Sequence, residues 1–237
     1  MVQTCSNTPR GSNAMPLPEF TNDTVHLSNG YTYHDSFTSL IGLGSFGVVY
    51  KGFNEEENKQ VAIKKMSRVH VKENELKVIR SLKSAYLVGV LDICMLDDAT
   101  CCLIMEFCDG DLEFHIKNNS NDGRLNDANL RLLIDNIARG YKDLYDLKIV
   151  HRDIKPQNIL INYVGKSKQL LSAKITDFGI ARTIDTEAPD LCNVAGTLFY
   201  MAPEVGANLL KTCQYDSKVD MWSIGCLLYQ CVTGEVR

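Results

Sequence analysis

The stretch HRDIKPQNIL, from His151 to Leu160, decides the fold of this chain. Its first eight residues include a basic pair, a carboxylate, a lysine and an amide, and residues typical of a strand follow at once. A polar loop with accidentally clustered charges would have this composition, and so would a loop in which each group has a chemical role. The rest of the sequence distinguishes these two interpretations.

The composition is that of an ordinary globular chain. Of 237 residues, 45% are apolar and 23% charged, and the formal net charge is −4. This length allows a substantial core in one domain or two small ones. The charge provides no broad basic field, which argues against nucleic acid or an acidic membrane as a partner.

The cysteines and the apolar runs bear on the compartment. Nine cysteines, an odd number without a CxxC pair, favour reduced thiols over disulfides. No apolar run reaches the roughly 18 residues of a membrane span, and the N-terminus has no signal-peptide core. We therefore expect a cytoplasmic protein, with a nuclear location as the alternative.

The chain divides into a strand-rich part and a helix-rich part. Residues 1–34, rich in Asn, Thr, Ser and Pro, are predicted to be a flexible lead-in. Strand patterns dominate from Ser36 to Leu103, interrupted by one helical segment at residues 72–83. Two amphipathic helices are predicted later, around residues 130–144 and 217–232. The pattern predicts an α+β fold of two lobes with a ligand cleft between them.

Three glycines, Gly42, Gly44 and Gly47, spell G-x-G-x-x-G, with Val49 two residues on. The motif by itself is weak, because a glycine-rich hairpin turn is about as common. A dinucleotide-binding fold needs a helix opening at the glycines, whereas VVYKGF continues as a strand. We therefore expect a strand-turn-strand whose backbone N–H groups lie close to phosphates.

Lys64 lies in the middle of a strand, VAIKK, that reads as buried. An isolated ammonium group there would be costly, so it requires an anionic partner. The two candidates are the phosphates of a ligand and Glu75 on the following helix, where Leu76 and Ile79 follow at core spacing. The neighbouring Lys65 is better explained as a solvent-facing residue.

Four polar residues have the types that phosphoryl transfer requires. Asn158 and Asp177, the latter opening a DFG motif, supply hard oxygen ligands of the kind that magnesium accepts beside phosphate. Asp153 could accept a proton from an attacking hydroxyl, and Lys155 could neutralise charge on the transferred group. Positioning and charge stabilisation are the main needs of this reaction.

The ordered series of motifs resembles the eukaryotic protein kinases from about Ser36 to Gly234. The matching motifs are the glycine loop, VAIK, Glu75, HRDIKPQN, DFG and APE. The resemblance implies ATP as donor with Mg²⁺, a β-rich N-lobe at about 35–107 and a helical C-lobe at about 108–237. KPQNIL and YMAPEV are most similar to the autophagy-initiating Unc-51-like kinases.

The same resemblance implies roles for further residues. Asp220 would anchor the catalytic loop, and His151 would pack on Phe178. The backbone of Glu106 and Cys108 would bind adenine. The full set of implied nucleotide-binding residues is Gly42, Leu43, Gly44, Ser45, Phe46, Gly47, Val49, Ala62, Lys64, Met105, Glu106, Cys108 and Leu160. Lys155, with the Gly-Thr pair at 196–197, resembles serine/threonine rather than tyrosine kinases.

One departure from the family pattern concerns the C-lobe. The sequence stops at Arg237, soon after the helix that carries Asp220, where kinases continue with further helices. This predicts a truncated C-lobe of marginal stability with Leu227, Leu228 and their neighbours exposed. A protein partner could cover that surface.

Two functions therefore compete. The first is a serine/threonine kinase acting on protein substrates, in autophagy or stress signalling. The second is a truncated kinase-fold module that binds nucleotide or a partner with little turnover. A small-molecule kinase is less well supported, because GTLFYMAPE resembles a platform for protein substrates.

Overall fold

The computed structural model describes residues 21, 23–44, 47–70, 82–177, 198–207 and 218–236. The first sheet is antiparallel, with strand order β1-β2-β4-β5-β7-β6 and β3 paired to β4. Its strands are β1 (Thr24–His26), β2 (Tyr31–His34), β3 (Leu40–Gly44), β4 (Gly47–Asn54), β5 (Lys59–Ser67), β6 (Val90–Met95) and β7 (Thr100–Glu106). The strand-turn-strand predicted for the glycine motif is confirmed in β3 and β4.

The turn between β4 and β5 shows why the chain reverses there. The side-chain oxygen of Asn54 accepts hydrogen bonds from the backbone N–H groups of Glu56 and Glu57, at 3.0 and 3.1 Å. Asn58 has φ 52°, a left-handed conformation that asparagine tolerates. This exposed turn sets the β4–β5 register that the site depends on.

Residues 24–34 are not a flexible lead-in, so the prediction for 1–34 is wrong over this stretch. They form β1 and β2, and β2 pairs with β4 from Tyr31 opposite Asn54 to Tyr33 opposite Gly52. The physical reason is that the two tyrosines, spaced two apart, are buried on one face of the sheet. The side chain of Asn29 donates to Asp92 on β6, which ties the hairpin to the other end of a curled sheet.

Among the residues described, the second part of the chain has a small sheet and four α-helices. Strands β8 (Gly110–Asp111), β9 (Ile159–Tyr163) and β10 (Leu170–Ile175) form the sheet, in the order β10-β9-β8. The helices are α1 (Leu112–Asn119), α2 (Asp127–Asp146), α3 (Pro203–Ala207) and α4 (Lys218–Thr233). Both helices predicted after residue 109 are confirmed as α2 and α4, and the helical segment with Glu75 falls at residues that the structure does not describe.

The two parts are joined through backbone hydrogen bonds as well as the connection after β7. Val88 donates to the carbonyl of Ile175, and Ile175 donates to the carbonyl of Tyr86, at 2.9 and 3.0 Å. Below them, α2 places the fully buried side chains of Leu133, Ile137 and Leu144 in a core that it shares with β9 and β10. The predicted two-lobed α+β architecture is confirmed.

Helix α4 corrects one expectation about exposure. Leu227 is fully buried in the core, and Leu228 is half-buried and packs against it. Met221, Trp222 and Val232 are exposed instead. None of the helices in the described ranges is long and apolar enough to cross a membrane. The cysteines in those ranges are free thiols: Cys94, Cys101, Cys102, Cys108, Cys226 and Cys231.

Candidate active site

The loop between α2 and β9 is held from below by Asp220. This fully buried carboxylate, in the first turn of α4, accepts hydrogen bonds from the backbone N–H groups of His151 and Arg152 at 2.8 and 2.7 Å. Hydrogen bonds to a charged acceptor are stronger than neutral ones. They hold the loop although Arg152 has φ 67°, a conformation that costs free energy outside glycine. The predicted anchoring role of Asp220 is confirmed.

The buried imidazole of His151 links this loop to the strand that precedes Asp177. Its Nε2 lies 2.7 Å from the carbonyl of Thr176, which requires Nε2 to donate. Its Nδ1 therefore accepts the backbone N–H of Asp153, at 3.2 Å. Both ring nitrogens are engaged with backbone, so His151 positions the loop. The predicted packing on Phe178 concerns a residue outside the described ranges.

Asp153, Lys155 and Asn158 meet within this loop. One carboxylate oxygen of Asp153 lies 2.7 Å from Nζ of Lys155 and accepts from the amide of Asn158 at 2.9 Å. The same amide donates to the carbonyl of Asp153, at 2.7 Å. The other carboxylate oxygen, Oδ1, is buried without a hydrogen-bond partner in the described part of the chain. That oxygen has an unused acceptor position, which a hydroxyl could reach once the groups that cover it shift.

Lys64 lies opposite this loop and pairs with Asp177. Its Nζ is 2.7 Å from Oδ1 of Asp177, and its side chain is only 2% exposed. Asp177 has φ 61°, so its carboxylate is presented from a left-handed turn directly after β10. The sequence indicated two anionic partners for Lys64 and missed this third one. Whether Glu75 also contacts Lys64 concerns a residue outside the described ranges.

The glycine turn passes close to Lys64. A Cβ atom placed on Gly44 would lie 4.0 Å from Nζ of Lys64, so the bare backbone of Gly44 faces this ammonium group. A Cβ on Gly47 would lie 2.1 Å from the carbonyl oxygen of Lys65, so only glycine fits beside β5. Close packing against β5 is thus a second reason for glycine at position 47, and the predicted approach of the backbone to phosphates stays a prediction. Leu43 is exposed, and Ser45 and Phe46 are not among the described residues.

An apolar wall lines the cleft between the two parts of the chain. It includes Val49, Ala62 and Met105 from the first sheet and Leu160 from β9, all within one cluster of packed side chains. Ala62 and Met105 are paired directly across β5 and β7. The resemblance implied that Val49, Ala62 and Leu160 contact the faces of a nucleotide base and that Met105 lies at the back of its pocket, and the structure brings the four together.

The connection after β7 carries an ion pair that the sequence did not indicate. Both carboxylate oxygens of Glu106 contact Nζ of Lys174 on β10, at 2.8 and 2.7 Å. One of them also accepts the backbone N–H of Gly89, at 2.7 Å. Burial, and then the charge of Glu106, raises the pKa of Cys108 to about 11. The thiol next to the connection is therefore neutral near pH 7.

A cleft with these parts defines a class of protein. Residues 36–237 match the family model described as the protein kinase domain, and the chain belongs to the protein kinase family.

Comparison with individual proteins identifies the group of protein kinases that the chain resembles. The chain is 35% identical over 209 residues to the human serine/threonine-protein kinase ULK1, covering 83% of this chain and 19% of that protein. It is 34% identical over 224 residues to the serine/threonine-protein kinase unc-51 of Caenorhabditis elegans, covering 87% and 25%. The chain thus spans a quarter or less of the length of these two relatives. The resemblance to the Unc-51 group inferred from the motifs is confirmed.

Among solved structures, the chain is similar to Rad53 residues 1–466 in complex with AMP-PNP. The TM-score is 0.67 at 31% identity, covering 87% of this chain and 49% of that one. This likeness confirms the bilobal kinase fold.

Proposed function

We propose that this chain transfers the terminal phosphoryl group of ATP to a serine or threonine hydroxyl of a protein substrate. The observation that carries the proposal is the orientation of Asp153. Lys155 and Asn158 fix one of its carboxylate oxygens, and the other is buried without a partner in the described part of the chain. The names of the relatives and Lys155 support serine or threonine as the acceptor.

ATP as the donor is supported by the walls of the cleft. Val49, Ala62 and Leu160 would contact the two faces of adenine, and Met105 would close the back of the pocket. The backbone between Glu106 and Cys108 would provide hydrogen bonds to the adenine edge. The similar Rad53 structure was solved with AMP-PNP, an ATP analogue, which supports the same ligand class here.

The transfer itself would use the loop residues directly. The substrate hydroxyl would donate a hydrogen bond to Oδ1 of Asp153, which aims its oxygen at the γ-phosphorus. A bond forms between that oxygen and phosphorus, the bond to the bridging oxygen of ADP breaks, and the hydroxyl proton passes to Asp153. Lys155 and Lys64 would offset negative charge on the phosphates.

Magnesium fits the oxygen donors at this site. The side-chain amide nitrogen of Asn158 donates both of its protons to Asp153, so the side-chain oxygen Oδ1 of Asn158 is left for a cation. Asp177 lies at the same cleft. In the described ranges, no group of three or more His, Cys, Asp or Glu side chains could hold a metal by itself. We therefore propose that Asn158 and Asp177 hold Mg²⁺ together with phosphate oxygens. The ion would offset the charge of the phosphates.

The test is transfer of radiolabel from γ-labelled ATP to a mixed peptide library. Wild type should label peptides that contain serine or threonine, and Asp177→Asn should lose labelling. Asp135→Asn is the matched control, because Asp135 is exposed on α2 and pairs with Arg139, which lies one turn along the same helix. Equal labelling by wild type and Asp177→Asn would exclude the enzymatic proposal.

The second candidate is a kinase-fold module that binds nucleotide or a protein with little turnover. It is favoured by the exposed side chains of Met221 and Trp222 near the start of α4, since neighbouring exposed apolar residues often mark a protein contact. We propose that a protein segment covers this face. Nucleotide binding by calorimetry without peptide labelling would support this candidate over the first.

The remaining proposals concern the cellular location of the protein and the pathway in which it acts. We propose a cytoplasmic protein, with the nucleus as the alternative, since the free buried thiols suit a reducing compartment. The likeness to the Unc-51 group supports a role in autophagy or stress signalling. Localisation of a tagged full-length protein would test the first of these directly.

A further inference from the structure

Asp35 is a buried carboxylate on the side of the first sheet that faces away from the cleft. It is 4% exposed and directly follows β2. Its Oδ1 accepts a hydrogen bond from the hydroxyl of Tyr50 at 2.9 Å, and its Oδ2 pairs with Nζ of Lys65 at 3.1 Å. Both oxygens are therefore engaged, as a buried charge requires.

The two partners of Asp35 are the immediate neighbours of two residues of the cleft. Tyr50 follows Val49 on β4, and Lys65 follows Lys64 on β5. Because successive side chains of a strand point to opposite faces, Tyr50 and Lys65 point away from the cleft while Val49 and Lys64 point into it. The side chains agree with this, since Tyr50 packs in one cluster and Val49 in another.

Packing around the carboxylate leaves little freedom. The rings of Tyr33 and Tyr50 lie 4.8 Å apart between centroids, and both side chains are almost fully buried. Burial, and then the hydrogen bond to Asp35, raises the pKa of Tyr50, which keeps its hydroxyl protonated as a donor. Gly52 brings β2 against β4, since a Cβ there would lie 2.8 Å from the carbonyl oxygen of Thr32.

Asp35 and the β1–β2 hairpin lie just before the region that the family model matches. The match to the protein kinase family model begins at residue 36, one residue after Asp35. The β1–β2 hairpin and the carboxylate that follows it therefore precede the matched region, and they contact the two strands that carry Val49 and Lys64.

We propose that Asp35 is a positioning residue for the nucleotide site. By holding Tyr50 on β4 and Lys65 on β5 with one carboxylate, it fixes the spacing and register of the two strands from behind. Val49 and Lys64 then face the nucleotide in the correct relative position. The β1–β2 hairpin, which packs Tyr33 against Tyr50, becomes part of the nucleotide-binding machinery. This inference rests on the proposed ATP-dependent function.

The first test is amide hydrogen exchange without nucleotide, comparing wild type with Asp35→Asn. Exchange should accelerate in β4 and β5 but not in β6, which Asp35 does not contact among the residues described. Asp98→Asn is the control, because this carboxylate lies exposed in the β6–β7 turn of the same sheet. Unchanged exchange in β4 and β5 would overturn the inference.

The second test is kinetic. Asp35→Asn and Lys65→Met should each raise KM for ATP about three- to tenfold with kcat changed less than about twofold. The double variant should be no worse than the more damaging single variant, since both remove one interaction. Tyr50→Phe keeps the ring and removes one hydrogen bond, so it gives a folded protein if Asp35→Asn does not fold; its KM should rise in the same direction.

An unchanged KM in folded variants would overturn the inference while leaving the proposed function intact. If wild type binds no ATP, the proposed function fails, and the exchange comparison still decides whether Asp35 holds the two strands. The two failures are therefore distinguishable.

Discussion

Nζ of Lys64 lies 2.7 Å from Oδ1 of Asp177, although 113 positions separate the two residues in sequence. The pair crosses the cleft from β5 of the first sheet to the turn after β10. Because the Lys64 side chain is only 2% exposed, this contact satisfies a buried charge as well as aligning the two parts of the site.

The substitution Lys64→Met should remove the cationic partner of phosphate and of Asp177. We expect transfer activity to fall by about 100-fold or more, the usual cost of removing one charge-stabilising donor. Steady-state kinetics with labelled ATP measure the effect. Lys59→Met on the same strand, where the side chain is exposed, should stay within about twofold of wild type. Equal losses in both variants would contradict a specific role for Lys64.

The substitution Asp220→Asn should loosen the catalytic loop without touching the nucleotide site. The amide keeps one acceptor oxygen for the N–H groups of His151 and Arg152 and loses the charge. We expect the free energy of unfolding to fall by about 2 kcal/mol. We also expect kcat to fall more than the affinity for ATP, because the loop positions Asp153.

Amide hydrogen exchange gives the direct readout for Asp220→Asn. Exchange should increase at His151 and Arg152, the two donors, and not in β5. Asp135→Asn is the control for loss of a carboxylate. Protection of both amides equal to wild type would show that other contacts hold the loop.

The ion pair between Lys174 and Glu106 should stabilise the contact between the connection after β7 and the second sheet. Each side chain is partly exposed, so we expect Lys174→Met to lower the free energy of unfolding by only about 1 kcal/mol. Glu106→Gln should act in the same direction while still accepting from Gly89. Urea denaturation of the two single variants and the double variant measures the coupling. If the losses of unfolding free energy in the two single variants add up in the double variant, the pair is not coupled. Lys166→Met, in the β9–β10 turn, is the control for loss of a lysine.

Protonation of His115, which is buried on α1, should lower the stability of the protein as the pH decreases. Burial, and then the charge of Lys168, lowers its pKa below the ordinary value. The folded state therefore disfavours the imidazolium, and the amide nitrogen of Asn129 lies 3.5 Å from its Nε2, where a second proton would have to sit. The stability contributed by the neutral ring is present above the unfolded pKa of about 6.5 and is lost as pH falls below it.

The measurement is urea denaturation of wild type and His115→Gln at pH values from 7.5 to 5.5. The difference in unfolding free energy between the two proteins should shrink as the pH falls. His34→Gln, an exposed histidine on β2, should follow the wild-type profile. A constant difference between wild type and His115→Gln would contradict the assignment.

Much of the site was predictable because its motifs carry their own spacing. The order of the glycine turn, Lys64, Asp153, Asn158 and Asp177 indicated a two-lobed kinase fold, and the structure brings these residues to one cleft. The helices α2 and α4 were predictable because their apolar residues recur at helical spacing.

Other contacts had no signal in the sequence. Lys174 and Glu106 are 68 positions apart, and only the fold places β10 beside the connection after β7. The β1–β2 hairpin was missed because its polar composition obscured the alternation of Tyr31 and Tyr33. Lys65 was expected to face solvent. Its partner Asp35 is 30 positions away, and only the pairing of β2 with β4 brings the two side chains together.

The most direct test of the central claim compares binding and turnover in Asp153→Asn. The amide is close in shape to the carboxylate and cannot take the proton of the substrate hydroxyl. We predict that calorimetry gives an affinity for Mg·ATP within about twofold of wild type, while phosphorylation of a serine peptide falls by about 100-fold or more. Turnover within about tenfold of wild type, with ATP binding intact, would contradict the role assigned to this carboxylate.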